Sequence, residues 1–435
     1  MPAVVLYFQA HQPRRMRRYS VFHEDPFYFD DTLNAEICRR VAQRCYVPVF
    51  GLLARLARRH EGAFRVSLGI TGSLLDQLAE FAPAAMLALE DLASTGCCEP
   101  LAETDRHSLA FLYSPQEFRR QVDAHERRVV ELFGRPPRIF RHTECIYGND
   151  LAVALCAMLG EDGRPRYDGA LAEAVDHRLG YRSPHHVYRP PDVSGRPLRG
   201  RSGHPFALLL RNPRLSDDIA FRFSDRSWDR WPLTAPQYAA WLAAPDPDAE
   251  VVTVGLDVES IGERQPRESG IFEFLEALPQ AVLDTGRCEF LTASQAAERF
   301  RPVGVYDAPE FISWADAERD LSAWRGNSMQ RHALDELYRL ERPLRELAEQ
   351  AARSGDPTAV RRAVALLDDW RQLTTADHVY YMATKLGADA EVHRAFSPYD
   401  SPYDSYINFM NVLENLRDRI GEPIPDPPRQ DTPAS

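Results

Sequence analysis

A chain of 435 residues with 44% hydrophobic and 10% aromatic content can bury a large core and is longer than one ordinary domain needs, so a large domain with an appendage is expected. Its formal net charge of -12 works against polyanionic partners, because holding phosphates or anionic lipid takes clustered Lys and Arg; nucleic acid and membrane surfaces are excluded as ligands on that ground. The first residues carry no basic leader, no later stretch is long and apolar enough to span a bilayer, and the seven scattered cysteines contain no CxxC pair, which together point to a reducing cytoplasm.

In chain order, Val4 to Gln9 is a β-branched and aromatic run that stops at His11 and Gln12. Ile37, Val41, Cys45, Leu52, Leu53 and Leu56 then recur at helical spacing. Phe64 to Ile70 reads as a second strand, Phe118 to Phe133 as a helix, and Ile139 to Thr143 as a strand ending at Glu144. Gly180 to Pro205, rich in Pro, Arg, Gly and His, reads as a long surface loop, either a lid over a groove or an excursion without a role. Ile219 to Phe223, Val251 to Asp257 and Glu289 to Thr292 complete the predicted strands. After about Asp316 strand signals vanish and helical patterns take over, with Leu334, Leu337, Val360, Val364, Trp370, Ile407 and Leu413 among the apolar positions.

Alternating strands and helices predict a parallel α/β fold. Polar residues follow several different strands here (His11, Gln12, Glu144, Asp257), which favours a closed barrel, whose C-terminal face gathers strand ends into one mouth, over an open sheet. No GxGxxG or GxxxxGK[ST] loop follows the first strand, so the nucleotide-binding alternative lacks its phosphate cradle. The expected division is a catalytic barrel over residues 1–310, a helical region over 311–420 and a disordered tail over 421–435.

Glu144, in IFRHTECIYGND, is a carboxylate at a strand end between apolar neighbours, where a nucleophile can be held in place. Asp257 closes the apolar run of VVTVGLDVESIGE and meets Glu259 and Glu263 within a few residues. Such clustered acids are hard to explain as packing, and neighbouring like charges keep one carboxyl protonated, as a general acid must be. Taken alone, each acid could equally cap a helix or pair with an Arg such as Arg141. As a pair they fit double displacement at a sugar. His11 and Gln12 could hydrogen-bond hydroxyl groups, and His107 with Asp105 is a second polar cluster; without HxxxH or HxxEH spacing no metal is expected. Trp228 and Trp231 in SWDRW, Trp324 in DLSAWRGN and the tyrosines of the C-terminal helices are candidate platforms for a pyranose face, although most helical aromatics belong to cores.

The ordered set HQP (from His11), GITGSLLDQL, AETDRHSLAFLY, FRHTECIYGND, GLDVESIGE, ERDLSAWRGN and TADHVYYMATK with SPYDSPYDSYINFMNVL resembles glycoside hydrolase family 57, in its α-amylase-type branch, over nearly the whole chain. The resemblance implies an incomplete (β/α)7 barrel of TIM type followed by an α-helical bundle. It also implies a retaining mechanism on α-linked glucans (glycogen, starch or maltodextrin), with Glu144 as nucleophile and Asp257 as acid/base. His11, Gln12, Asp76, His107, Glu259 and Trp324 form the expected substrate-binding set, with no cofactor and no metal. Two positions depart from the branch: His142 stands where Asn is usual before the Thr-Glu pair, and Asp76 where Glu is usual. The same family covers 4-α-glucanotransferases and branching enzymes, which share the first half-reaction, as well as members that have lost a catalytic acid and could only bind glucan. A metal-dependent deacetylase on a similar barrel would need a His/Asp triad that is missing here.

Overall fold

A computed structural model describes residues 1–421; the expected tail lies outside the described residues from 422 on. The chain forms two compact units, one from residues 1–12, 32–107 and 116–321, the other from residues 13–31, 108–115 and 322 onward.

The first unit is built on nine strands: β1 (Ala3–Ala10), β2 (Val66–Ile70), β3 (Cys98–Pro100), β4 (Ile139–Phe140), β5 (Gly169–Glu173), β6 (Val187–Tyr188), β7 (Ala207–Arg211), β8 (Val251–Asp257) and β9 (Glu289–Phe290). Seven run parallel in the order β3-β2-β1-β8-β7-β5-β4, with β6 antiparallel on β7 and β9 against the start of β1. The two edges meet through one bridge, where the Ala102 amide donates to the Ile139 carbonyl at 2.9 Å and the Arg141 amide to the Ala102 carbonyl at 2.7 Å. At β7 and β8 the ladder narrows to the single pair Arg211 and Thr253. This is the incomplete (β/α)7 barrel that the family resemblance implies.

Period-2 alternation decides which side chains enter the barrel. On β1, Val4, Leu6 and Phe8 join the cluster packed under the helices, whereas Val5 and Tyr7 join the inner cluster with Leu101, Ile139, Leu171 and Leu209. On β8, Val252, Val254 and Leu256 take the outer face. Thr253, Gly255 and Asp257 therefore share the inner face, and β1 pairs with β8 so that Tyr7 lies opposite Gly255 and Gln9 opposite Asp257. Gly255 is required there, since a Cβ on it would sit 2.0 Å from Cζ of Tyr7.

The expected strand over Ile219 to Phe223 is instead the end of a helix, Pro213–Ala220. The Asn212 side chain accepts the Leu215 amide at 2.9 Å and Pro213 pre-sets the first turn, so the four-residue spacing of buried Leu215 and Ile219 is the relevant period. Strands β3, β5, β6 and β7 were not expected from sequence. The 180–205 stretch is not wholly a surface loop, because Val187 and Tyr188 are buried as β6.

In the second unit the helices Ser328–Arg339, Glu341–Ser354, Pro357–Leu373 and Pro402–Gly421 surround Leu337, Leu344, Leu366, Trp370 and Phe409. The Trp370 indole donates to the Leu337 carbonyl at 2.8 Å, so the buried ring leaves no polar atom unpaired. Val364 and Ile407, which fit the apolar pattern, are exposed.

Candidate active site

The ends of β1, β3, β4 and β8 bring together Gln9 and His11, Glu103 and His107, Glu144, and Asp257 with Glu259. Glu144 is delivered by a tight turn after β4 in which Glu144 and Cys145 both take left-handed backbone angles, φ 54° and 52°. Non-glycine residues adopt this region at a cost, so the turn must be held by its surroundings. The Ser313 hydroxyl donates to the Glu144 carbonyl at 2.9 Å, and the Tyr7 hydroxyl meets the Cys145 thiol at 3.3 Å.

The Glu144 carboxylate is gripped at both oxygens. His107 Nε2 lies 2.8 Å from Oε1 and Trp314 Nε1 donates to Oε2 at 2.7 Å. Burial pushes this carboxyl up, but the bond from His107, its charge, Arg141 and the Trp314 donor outweigh burial and hold it below its ordinary value. The Glu144 side chain is 27% exposed, so one part of it remains open to a ligand. His107 is itself fixed. It takes a left-handed φ of 51°, its ring stacks on His11 at 4.0 Å, and its Nδ1 faces Glu103 Oε2 at 3.8 Å. Glu103, fully buried, accepts from Gln9 Nε2 at 3.1 and 3.0 Å. A carboxylate–imidazole–carboxylate line thus runs from Glu103 through His107 to Glu144.

Two guanidinium groups lie against the Trp314 ring, Arg141 at 4.4 Å and Arg211 at 5.2 Å from its centroid. Arg211 is anchored in turn by Glu173 at 2.9 Å, Asp217 at 2.7 Å and the Gly255 carbonyl at 2.8 Å. The indole that donates to the carboxylate is thereby clamped.

Asp257 has the opposite electrostatic setting. Burial first, and then the charge of Glu144, raise its carboxyl above the ordinary value, opposite in direction to the shift at Glu144. Glu259, two residues on, accepts the His11 amide at 3.1 Å and the Tyr46 hydroxyl at 2.5 Å; burial and the charge of Asp257 push it up to about 8. One carboxyl held low and another pushed up is the arrangement that nucleophilic and general acid catalysis need.

The other expected residues fall as follows. His11 Nδ1 pairs with the Thr71 hydroxyl at 2.8 Å, and the Gln12 carbonyl accepts from Gln77 Nε2 at 2.9 Å. Asp76 is bound by Arg106 and Arg128, each at 2.6 Å, and this ionic cluster includes Asp105. His142 is buried among Phe118 and Phe140, and burial pulls it down to about 3, so it stays neutral. Trp324, expected to line sugar subsites, is 1% exposed with its ring near Tyr380, and so lacks an open face for stacking. Trp314, Glu103 and Arg211 were not singled out from sequence. Glu103 lies in the AETDRHSLAFLY stretch that carries the family resemblance, whereas Trp314 had no local signal.

Residues 5–309 match the family model described as glycosyl hydrolase family 57. A Methanocaldococcus jannaschii protein named "Putative alpha-amylase" is 35% identical over 421 residues, covering 95% of this chain and 84% of that protein. Among solved structures, a family 57 branching enzyme from Thermococcus kodakaraensis, crystallised with glucose, superposes with a TM-score of 0.65 at 13% identity, covering 97% of this chain and 94% of its own. A 4-α-glucanotransferase from Thermococcus litoralis gives a TM-score of 0.54 at 15% identity; 88% of this chain is covered, and it spans about half, 51%, of that enzyme. At these identities the two structures speak for the fold.

Proposed function

The chain belongs to glycosyl hydrolase family 57 and is a glycoside hydrolase, and we propose that it cleaves α-1,4-glucans such as glycogen, starch or maltodextrin as an α-amylase-type, retaining enzyme. The observation that carries this reading is the two-point grip of His107 and Trp314 on Glu144, which holds its carboxyl low while burial and the charge of Glu144 raise that of Asp257. In the first step Asp257 gives its proton to the glycosidic oxygen while a Glu144 oxygen attacks the anomeric carbon, and the shortened glucan leaves with a new hydroxyl. In the second, the Asp257 carboxylate takes a proton from water, the water oxygen attacks the anomeric carbon, and Glu144 is released as a carboxylate. Both acids return to their starting forms. Where a glucan hydroxyl replaces water, the same two steps give transfer, which is the runner-up activity.

His107 orients the nucleophile through Glu103 behind it, and His11, Gln12, Asp76 and Glu259 remain the proposed contacts to sugar hydroxyls. The catalytic domain is assigned to the first unit. The mechanism calls on no metal or cofactor. A cytoplasmic location belongs to the same reading, supported by seven free cysteines and by the absence, among the described residues, of any helix long and apolar enough to cross a membrane.

Incubating the protein with maltoheptaose, with and without chelator, and resolving products by length tests the proposal. Shorter products alone, insensitive to chelator and abolished by Glu144→Gln, are expected. Longer products beside shorter ones assign transfer, and several α-glucans bound but left uncut overturn the enzymatic reading.

A further inference from the structure

On the first unit a pocket of about 450 Å3 is lined by Trp228, Trp241, Arg214, Asp218, Arg222 and the Asp229–Arg230 pair. None of Glu144, Asp257, His107 or Trp314 contributes to its wall. The volume is of the size that holds a small ligand. Its architecture follows from the helix Pro213–Ala220, whose Leu215 and Ile219 face the barrel core, while Arg214 and Asp218, also four residues apart, line the pocket.

Two half-buried indoles form a corner, with Trp228 and Trp241 6.4 Å apart at 73°. Around them three guanidinium groups meet two carboxylates. Arg222 donates to Asp218 at 2.7 Å and lies over the Trp228 ring at 5.8 Å, and Arg230 sits 3.5 Å from Asp229. Asp218 is 4% exposed, so this polar wall is built into the unit. An anion would meet two carboxylates here, and a purely apolar ligand would strip water from five charged groups. A neutral polyol suits both features, since its apolar ring face covers an indole and its hydroxyl groups can donate to Asp and accept from Arg.

We infer that this pocket is a second glucan-binding site, which holds a length of polymer away from the cleavage point. The inference rests on the proposed α-glucan specificity. The Arg- and Trp-rich segment SDRSWDRW, for which cleavage has no use, gains a role as the wall of this site. Anchoring a polymer at a site apart from the cleft raises its local concentration at the catalytic acids, and matters for long chains alone.

The test compares the full chain, Trp228→Ala and the doubly substituted Asp229→Ala, Arg230→Ala in native gels with and without glycogen, alongside turnover of maltoheptaose and of glycogen. Asp229 and Arg230 are exposed, so the double variant keeps the test valid where loss of the half-buried indole unfolds the chain. Retardation by glycogen is expected to weaken about tenfold in apparent Kd for Trp228→Ala and measurably for the double variant. The kcat/KM on maltoheptaose should stay within about twofold of wild type, while that on glycogen falls with the retardation. Wild-type retardation in both variants, with maltoheptaose still cleaved, overturns the second site and leaves the α-glucan reading standing. A wild-type chain that leaves maltoheptaose uncut overturns that reading, and this inference with it.

Discussion

Replacing Trp314 with Phe tests how the nucleophile is tuned, because it keeps an aromatic ring beside Arg141 and Arg211 and deletes one hydrogen-bond donor. The Nε1 donor lies 2.7 Å from Glu144 Oε2, and His107 continues to hold Oε1 at 2.8 Å. A hydrogen bond to a charged group contributes about 1.5–3 kcal/mol, so losing it raises the Glu144 carboxyl back toward its ordinary value. Glu144 must be ionised to attack. The acid limb of the pH profile of kcat/KM on maltoheptaose should therefore move up, while the alkaline limb, set by Asp257, stays in place. A looser carboxylate also costs about tenfold in kcat/KM at the optimum, the equivalent of about 1.4 kcal/mol. The result that refutes this reasoning is an unmoved acid limb in a variant whose Tm matches wild type.

Glu259→Gln removes a carboxyl that burial and Asp257 push up to about 8. An acid raised on folding binds its proton longer in the native state than in the unfolded one, so its contribution to stability declines from the ordinary carboxylate range up to about pH 8 and is flat beyond. The Tm advantage of Glu259→Gln over wild type should therefore grow between pH 5 and pH 9; equal differences at both ends sink the assignment. Glu144 has the opposite sign: held low, it adds stability above the ordinary carboxylate range, which is lost as pH falls through its folded value, so Glu144→Gln should narrow the Tm difference between pH 3 and pH 7. Gly255→Ala drives a methyl group to within 2.0 Å of Tyr7 Cζ and should cost about 1–3 kcal/mol in urea unfolding, the usual penalty of an overpacked core. An unchanged midpoint would show that the inner barrel yields more easily than its packing implies. His107→Gln should lower kcat with little effect on Tm, and a loss confined to KM would make His107 a substrate contact only.

The two acids were legible because each ends an apolar run. β4 and the body of β8 are buried, so a carboxylate where such a run stops demands a reason beyond packing. What surrounds them was less so. Trp314 reaches Glu144 across 170 positions of sequence, and nothing local in EFISWADAERD marks its indole as a ligand of a distant carboxylate. Trp324, beside Arg325 and Asn327, carried the more suggestive neighbourhood and is buried. Among the strands, GALAE reads as helix because Ala, Leu and Glu favour it, yet as β5 it is buried and pairs with β4 and β7, and Gly169 permits the Ala207 carbonyl to approach to within 2.2 Å of where a Cβ would be. Ile219 to Phe223 fails as a strand because Asn212 and Pro213, seven and six residues before Ile219, start a helix that runs to Ala220.

The central claim is a double displacement through Glu144 and Asp257, and its stereochemistry is the direct test. Proton NMR of the anomeric signals during the first turnovers of maltoheptaose, recorded before mutarotation, distinguishes the two courses. The α-anomer appearing first is the predicted result, because two inversions restore the configuration. The β-anomer appearing first would mean a single displacement by water, and would contradict the assignment of Glu144 as a nucleophile.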